Sequence, residues 1–505
     1  MLDAINQRVP QDISWTLEGL SKEALERFHG AALDLLQYTG IKVENNERAL
    51  EIFYSGGAEI ERHDGYGIVK VPAGIVTECL DKAPKEVVLY GRTEGNEYEL
   101  KPGKVTFTPF GEMIQIIDPK TREVRKTTQK DVGDITRMCD HFSEVAVAQR
   151  AVAALDKPPG THPIFNARSM FENTGKHILI GPINAENFKT IAKIAAAHIG
   201  GMDKLTECPV FTTLTCPTSP FRLEENCADL IIESALLPGG GYVSSPVPLM
   251  GMSTPATLAG TVNVVAVDIL AGLVLGQLAR PGTRVILSNS GTMMDLRFMG
   301  SVYGSPEMSM ISSAIAQIAR FYGLPSHCSG IHSDSKVVDA QCGYESAIGG
   351  LVTALSGVNI INGLGSLELG LTFDYAKFML DIDVVNNIRV ILSGISMRED
   401  DIELDIIKEK GHGGEFLSHP HTFQHMRQLS CPKFFDRRTR QDWQEQLIPD
   451  IVERAYDRAG EVLNTHIPPP VDPAVNQEVD QIIEEYVATH EKAGKKCSRL
   501  NRMKI

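Results

Sequence analysis

The chain has 505 residues, of which 43% are hydrophobic and 22% charged, so a large buried core is available and the composition is that of a globular protein. A formal net charge of −15 argues against a nucleic-acid partner, because a polyanion would be repelled overall. Nine scattered cysteines include no CxxC pair, which argues against a zinc ribbon or a thioredoxin-like site and reads as reduced thiols in a cytoplasmic protein.

The opening MLDAINQRVPQDISW has no basic segment followed by an apolar one, so no signal peptide is read there. SKEALERFHGAALDLLQYTG and NERALEIFYSGG then carry apolar residues at helical spacing and end on glycine, a C-cap signal. Short strands YGIVKVP and KEVVLYGR follow, and residues 1–100 read as an N-terminal α+β region.

From residue 101 to 400 the pattern changes. The strand-like runs are KVTFTPF, EVAVAQRAVA, HILIGP, PVFTTLTCP, GYVSSPVPL, RVILSNS, LPSHCSG and GVNIING. They recur at the length of one strand–helix unit, with helical patterns between them. Six are explicit: QKDVGDITRMCDHF, AENFKTIAKIAAAHIGG, RLEENCADLIIESALLPGG, PATLAGTVNVVAVDILAGLVLGQLA, PEMSMISSAIAQIARFYGLP and QCGYESAIGGLVTALSG. Eight such units predict an α/β fold, a TIM (β/α)8 barrel, over an open doubly wound sheet. The apolar run from Leu258 is interrupted by Asp268 and reads as a buried core helix, so no membrane span is expected. Residues 401–505 read as a C-terminal helical segment covering the barrel: one long amphipathic helix in DRRTRQDWQEQLIPDIVERAYDRAGEVL, then a final exposed helix with a basic tail.

Barrel sites gather at the C-terminal strand ends. The loop from Ser326 to Glu345 packs His327, His332, Asp334, Lys336, Asp339, Gln341, Tyr344 and Glu345 together, more polar groups than a loop can bury unless they are paired. GTMMDLRFMGSVYGSPEMSMISSAIAQIARFYGLPSHCSGIHSDSKVVDAQCGYESA and GHGGEFLSHPHTFQHMRQLSCPKFFDRRTRQDW resemble the core and the closing segment of the trimethylamine methyltransferase family. The resemblance implies a TIM barrel that moves a methyl group from a methylated amine to the cobalt of a separate corrinoid (cobalamin) protein. It also implies a pyrrolysine just before SDSK in the archaeal trimethylamine enzymes. Here that segment reads Ser329-Gly330-Ile331-His332, with Gly330 and Ile331 the candidates for the position.

A tertiary amine is a poor methyl donor, since it would leave as an amide anion, whereas a quaternary ammonium leaves as a neutral amine. A chain without pyrrolysine therefore points to a quaternary amine, glycine betaine first, with related betaines open. Such a site must hold a cation, orient one methyl group and exclude water, and it needs no general base. Aromatic faces attract quaternary ammonium groups, and Phe373, Tyr375, Tyr344, Phe110 and Tyr242 are the candidates. Glu368 and Glu112 would add long-range attraction. The betaine carboxylate would take a donor from His332, His327, Arg297 or Asn289, with Lys336 as an alternative. The corrinoid is expected at a mouth lined by Gly330, Ile331, Asp334, Gly363 and Gly365, with Gly291 a further strand-end glycine.

His421 and His425 stand at i, i+4, a metal-ligand spacing, beside His412 and His419. An ammonium has no lone pair for zinc, so no metal is expected in this chain. A zinc-dependent methyltransferase or lyase, and a non-catalytic betaine-binding barrel, are the alternatives. A homo-oligomer is compatible with a barrel of this size.

Overall fold

In the computed structural model, which describes residues 16–111, 113–426 and 429–502, eight parallel strands form one sheet. They are labelled β1 (Thr106–Pro109), β2 (Val147–Gln149), β3 (His177–Ile180), β4 (Phe211–Thr215), β5 (Gly241–Ser244), β6 (Arg284–Asn289), β7 (Ser326–Ser329) and β8 (Ile360–Leu364). Their spatial order is β1-β8-β7-β6-β5-β4-β3-β2, each neighbour paired in parallel. The remaining seam, between β1 and β2, is stitched by threonine hydroxyls. Thr108 Oγ1 donates to Val147 O (2.8 Å) and accepts from Gln149 N (3.0 Å), and Thr106 Oγ1 does the same between Glu144 O (3.1 Å) and Ala146 N (2.9 Å). The sheet thus closes into the expected (β/α)8 barrel.

Eight helices form the outer ring: α1 (Gln129–His141), α2 (His162–Asn173), α3 (Ala185–Ile199), α4 (Glu225–Leu236), α5 (Leu258–Ala279), α6 (Pro306–Phe321), α7 (Ala340–Leu355) and α8 (Tyr375–Leu392). Side chains of Thr128, Asn184, Thr257, Ser305, Asp339 and Asp374 cap six of them by accepting a first-turn N–H. The two helices without a clear sequence pattern are α2 and α8. Thr161 makes no side-chain cap for α2, and α8 is buried on nearly every side while carrying Lys377, Asp381 and Asp383, which hides its periodicity.

The helices near the N-terminus (Lys22–Asp34, Glu47–Ser55 and Ala73–Lys82) pack on α5. Leu258–Ala279 is long and apolar enough to cross a membrane, yet 78% of its apolar window is buried inside the protein, as expected of a core helix. The small sheet of residues 41–44, 59–63 and 66–70 takes a fourth strand, Arg222–Leu223, from the β4–α4 loop. A hairpin of Val87–Leu89 and Tyr98–Leu100 plugs the bottom of the barrel. Its Val87, Leu89 and Leu100 form one apolar cluster with the inward-facing Val147, Leu179, Val243, Ile286 and Ile360.

Two C-terminal expectations change. The single long helix is two, Arg440–Glu445 and Ile451–Thr465, because Leu447 adopts a positive φ (46°) just ahead of Pro449 and Asp450 caps a new start. The final helix, Pro473–Arg502, is not simply exposed: Val479, Ile483 and Tyr486 are buried, and Tyr486 Oη accepts from Asn187 Nδ2 of α3 (2.6 Å). The basic side chains beyond residue 490 and the first fifteen residues lie outside the described residues.

Candidate active site at the barrel mouth

Side chains alternate along a strand, so residues two positions past the apolar layer face inward one layer higher. In that layer Val147 gives way to Gln149, Val243 to Ser245, Ile286 to Ser288 and Ile360 to Asn362. The interior changes from hydrocarbon to hydrogen-bonding groups within one side-chain step, toward the end where barrel sites form.

These groups converge on two histidines with no exposed surface. His327, on β7, places Nε2 at 2.8 Å from Gln149 Oε1 and Nδ1 at 2.9 Å from Ser288 Oγ. Ser288 continues through Ser245 (3.0 Å) to Ser290 (2.8 Å). His332, just beyond the same strand, places Nε2 at 2.8 Å from Asn362 Oδ1 and Nδ1 at 3.1 Å from Ser366 Oγ. Asn362 Oδ1 also accepts from Ser329 Oγ (3.2 Å). The Asn362 amide oxygen at Nε2 of His332 assigns that ring's proton to Nε2, while His327 Nε2 also lies 3.4 Å from Asn362 Nδ2. Burial disfavours the imidazolium, holding His327 down at about 4 and His332 at about 3, so both rings are neutral at physiological pH.

Aromatic rings surround His332. The Phe110 centroid is 4.9 Å away, nearly edge-on, and that of Tyr303 is 5.1 Å away, while Phe110 and Tyr303 lie 5.5 Å apart. Tyr303 Oη donates to Ser290 O (3.2 Å), tying the cluster to the hydroxyl chain.

A second buried network sets the backbone that delivers His332. Lys377 of α8 is fully buried, and its Nζ donates to Ile331 O (3.1 Å) and to Asp381 Oδ2 (2.6 Å). The same carboxylate accepts from Gly365 N (2.8 Å). Gly363, at φ 125°, passes so close that a Cβ would lie 2.7 Å from His332 Cδ2, so a side chain there would displace the ring. The next loop holds Glu368 and Leu369 at φ 52° and 61°, consecutive left-handed residues of the kind found where a site fixes its backbone.

The chain matches the trimethylamine methyltransferase (MTTB) family over residues 3–494. It belongs to that family. A trimethylamine methyltransferase of Desulfitobacterium hafniense (strain DSM 10664 / DCB-2) is 40% identical over 93% of this chain and 94% of its own length. A trimethylamine methyltransferase of Methanosarcina thermophila is 34% identical over 90% and 94%. A glycine betaine methyltransferase of Desulfitobacterium hafniense (strain Y51) is 29% identical over 92% and 96%. Among solved structures, the monomethylamine methyltransferase of Methanosarcina barkeri shares the fold, with TM-score 0.54 at 14% identity over 92% of this chain and 91% of that one.

Of the residues expected from the sequence, this family member brings His327, His332 and Phe110 together. Others are corrected. Phe373 and Tyr375 are core, stacked edge to face at 5.3 Å with Phe373 against Phe378 as well, and Tyr242 points outward to donate to Gly272 O of α5 (2.7 Å). Tyr344 is 61% exposed on the first turns of α7. Asn289 faces the helical ring, bonding Gly291 O (3.1 Å) and Ser312 Oγ (3.3 Å), because its neighbour Ser288 takes the inward position. Arg297 is exposed in the hairpin of Thr292–Asp295 and Gly300–Val302 and pairs with Asp295 (2.6 Å). Glu368 is half-buried and accepts from Thr372 Oγ1 (2.7 Å), and Lys336 Nζ donates to Asp334 O (2.9 Å). Glu112 lies outside the described residues.

The expected corrinoid mouth is corrected likewise. A Cβ on Gly330 would meet Ile361 and Thr353 at 2.5 Å, so that position faces α7, and Ile331 is buried against Gly350 of the same helix. Neither candidate for the pyrrolysine position presents a side chain to the interior, whereas Ser329 and His332 do. Asp334 accepts from Tyr303 N (2.9 Å) and Gly304 N (2.8 Å), pinning the hairpin exit. Gly365, at φ 73°, is covered by the Phe373 ring, and a Cβ on Gly291 would meet Pro248 at 2.2 Å. These residues shape the loops rather than open a flat mouth. Exposed apolar surface at this end includes Leu296, Phe298 and Met299 of the hairpin, with Met252 and Val337 on the loops after β5 and β7.

Gln149, Asn362, Ser288, Tyr303 and Lys377 were not singled out from sequence. A polar residue two places after an inward apolar one, as in VAQ and IIN, was the signal available for the first two.

Proposed function

We propose that this family member transfers a methyl group from a quaternary amine, glycine betaine first, to the Co(I) of a corrinoid carried by a partner protein, releasing a tertiary amine such as dimethylglycine. The observation that carries this reading is the ring cluster of Phe110, Tyr303 and His332 above a hydrogen-bonded layer whose two imidazoles stay uncharged. Aromatic faces attract a cation that cannot donate hydrogen bonds, and neutral histidines do not repel it. A glycine betaine methyltransferase among the relatives supports the substrate class, and the ordinary residues at 329–332 supply no covalent partner that would activate a tertiary amine.

The chain's own residues bind and orient; no proton need move, because the amine leaves with its electron pair and the methyl carbon goes to cobalt. The corrinoid, when bound, supplies that nucleophile. The exposed Leu296, Phe298 and Met299 fit the apolar contact its carrier would need at the mouth.

The test is incubation of the full chain with Co(I) cobalamin and either glycine betaine or trimethylamine, following Co(I) absorbance and the amine released. Dimethylglycine from betaine, with trimethylamine inert, is expected. Demethylation of trimethylamine at a comparable or higher rate would overturn the reading.

A further inference from the structure

Away from the barrel mouth, Glu403, His421 and His425 bring one ligand atom each to within 4.8 Å of one another. His421 Nε2 lies 2.8 Å from Glu403 Oε1, and the two imidazoles stack at 3.9 Å. His425 places Nδ1 at 2.9 Å from His421 O, one turn back on the helix Pro420–His425. A backbone carbonyl on Nδ1 fixes the proton there and leaves the Nε2 lone pair free, the arrangement that accompanies metal-ligating histidines. The three groups share a cleft of about 430 Å³ with His419 and with Arg398, which is itself held by Asp401 (2.7 Å).

The surroundings supply a second argument. Neither Leu404–Lys410 nor Pro420–His425 contains a buried residue, and Leu404, Ile407 and Phe423 are largely exposed. Glu403, which joins the first of these helices to the preceding turn, holds a left-handed φ of 56°, disfavoured for a glutamate. Short helices without a core of their own need another cross-link to keep one arrangement. A metal bound between them would supply it.

We infer that Glu403, His421 and His425 form a divalent metal site, with zinc its best-fitting ion, that clamps the helix of residues 404–410 to that of residues 420–425. Two imidazoles and one carboxylate are borderline donors suited to zinc or cobalt rather than magnesium or calcium, and a water completes a tetrahedral set. The metal takes the place of the proton shared by Glu403 and His421. The site has no residue in common with the mouth network, so it stands or falls independently of the proposed methyl transfer.

The full chain, stripped with chelator and dialysed against micromolar zinc, should hold one zinc by elemental mass spectrometry. Cobalt(II) in its place should show the intense visible bands of a tetrahedral ion. Glu403→Gln, His421→Ala and His425→Ala should each weaken binding about tenfold or more. These side chains lie in a segment without a core, so the variants should fold. Amide exchange in residues 401–426 should slow with zinc in the native chain and not in His425→Ala. Absence of stoichiometric zinc would overturn the site. So would binding undiminished in all three variants, which would place the ion elsewhere, for instance on the exposed Cys208, Cys216 or Cys431. Zinc bound at these residues without slower exchange would overturn the clamp.

Discussion

His332 and His327 are fully buried, each ring nitrogen has a side-chain partner, and their neighbours come from β2, β6, β8 and the loop after β8. His421 and His425 are half-buried on a six-residue helix and face a glutamate and a backbone carbonyl. The same side chain thus serves as a neutral hydrogen-bonding wall in one place and as a ready lone pair in the other. Surroundings decide: in the barrel the imidazole is fixed by strands that already pair with one another, while in the C-terminal segment the imidazoles are themselves among the few groups that hold two helices together. Changes inside the barrel should therefore act through desolvation and alignment, with large effects, and changes to exposed groups should act weakly.

The largest effect is expected at the buried ion pair that delivers His332. Lys377→Met leaves Asp381 charged, buried and without its cation, which typically costs about 3–5 kcal/mol. Urea unfolding should show that loss, and Lys377→Met combined with Asp381→Leu should recover part of it. A loss below about 1 kcal/mol would mean that Asp381 is relieved by protonation, the direction in which burial already pushes it.

Next is the ring cluster. A desolvated cation–π contact is worth about 2 kcal/mol, so Phe110→Ala should raise KM for glycine betaine roughly thirtyfold. Its affinity for the isostere 3,3-dimethylbutyrate, whose tert-butyl group carries no charge where betaine has its ammonium, should change much less. Equal losses for both ligands would reduce Phe110 to a packing residue.

A pH effect follows from the neutral histidines. Burial depresses the folded-state pKa of His332 below the ordinary 6.5, so below that pH the unfolded chain binds a proton that the folded chain refuses. The stability so contributed is present above about 6.5 and is lost as pH falls toward 4, at about 1.4 kcal/mol per pH unit for each such histidine. His332→Gln should flatten the dependence of unfolding free energy on pH between 6.5 and 5 by that slope. An unchanged slope would show that the ring is solvated.

The barrel was legible because each unit opens with an apolar run, and six of the eight follow it with a helical period, so all eight strand segments fall where those signals put them. Strand identity does not reveal facing, however. Ser288 and Asn289 look equivalent in RVILSNS, yet one faces the interior and the other a helix. Aromatic residues misled for a related reason: Phe373, Tyr375 and Tyr242 offer the same faces as Phe110, but their hydrocarbon area is spent on the core. Tyr303 and Lys377 were invisible because each acts across more than 25 positions, Tyr303 on the His332 ring and Lys377 on the Ile331 carbonyl. No local pattern reports such a pairing.

The smallest effect is expected at Arg297, the strongest carboxylate donor among the sequence candidates. Its side chain is 79% exposed and already engaged with Asp295. Surface pairs of this kind contribute about 0–1 kcal/mol. Arg297→Ala should therefore leave the unfolding midpoint nearly unchanged and KM for glycine betaine within about twofold, a difference worth less than about 0.5 kcal/mol. Asp295, 14% exposed beside the arginine, would be opened to water by the truncation, so its orphaned charge carries less desolvation penalty than the fully enclosed Asp381. A tenfold rise in KM would mean that the hairpin folds over the mouth when substrate binds and carries the arginine to the carboxylate. The division between a working interior and a passive exterior would then fail at this loop, and a charged side chain rather than the buried layer would hold the carboxylate.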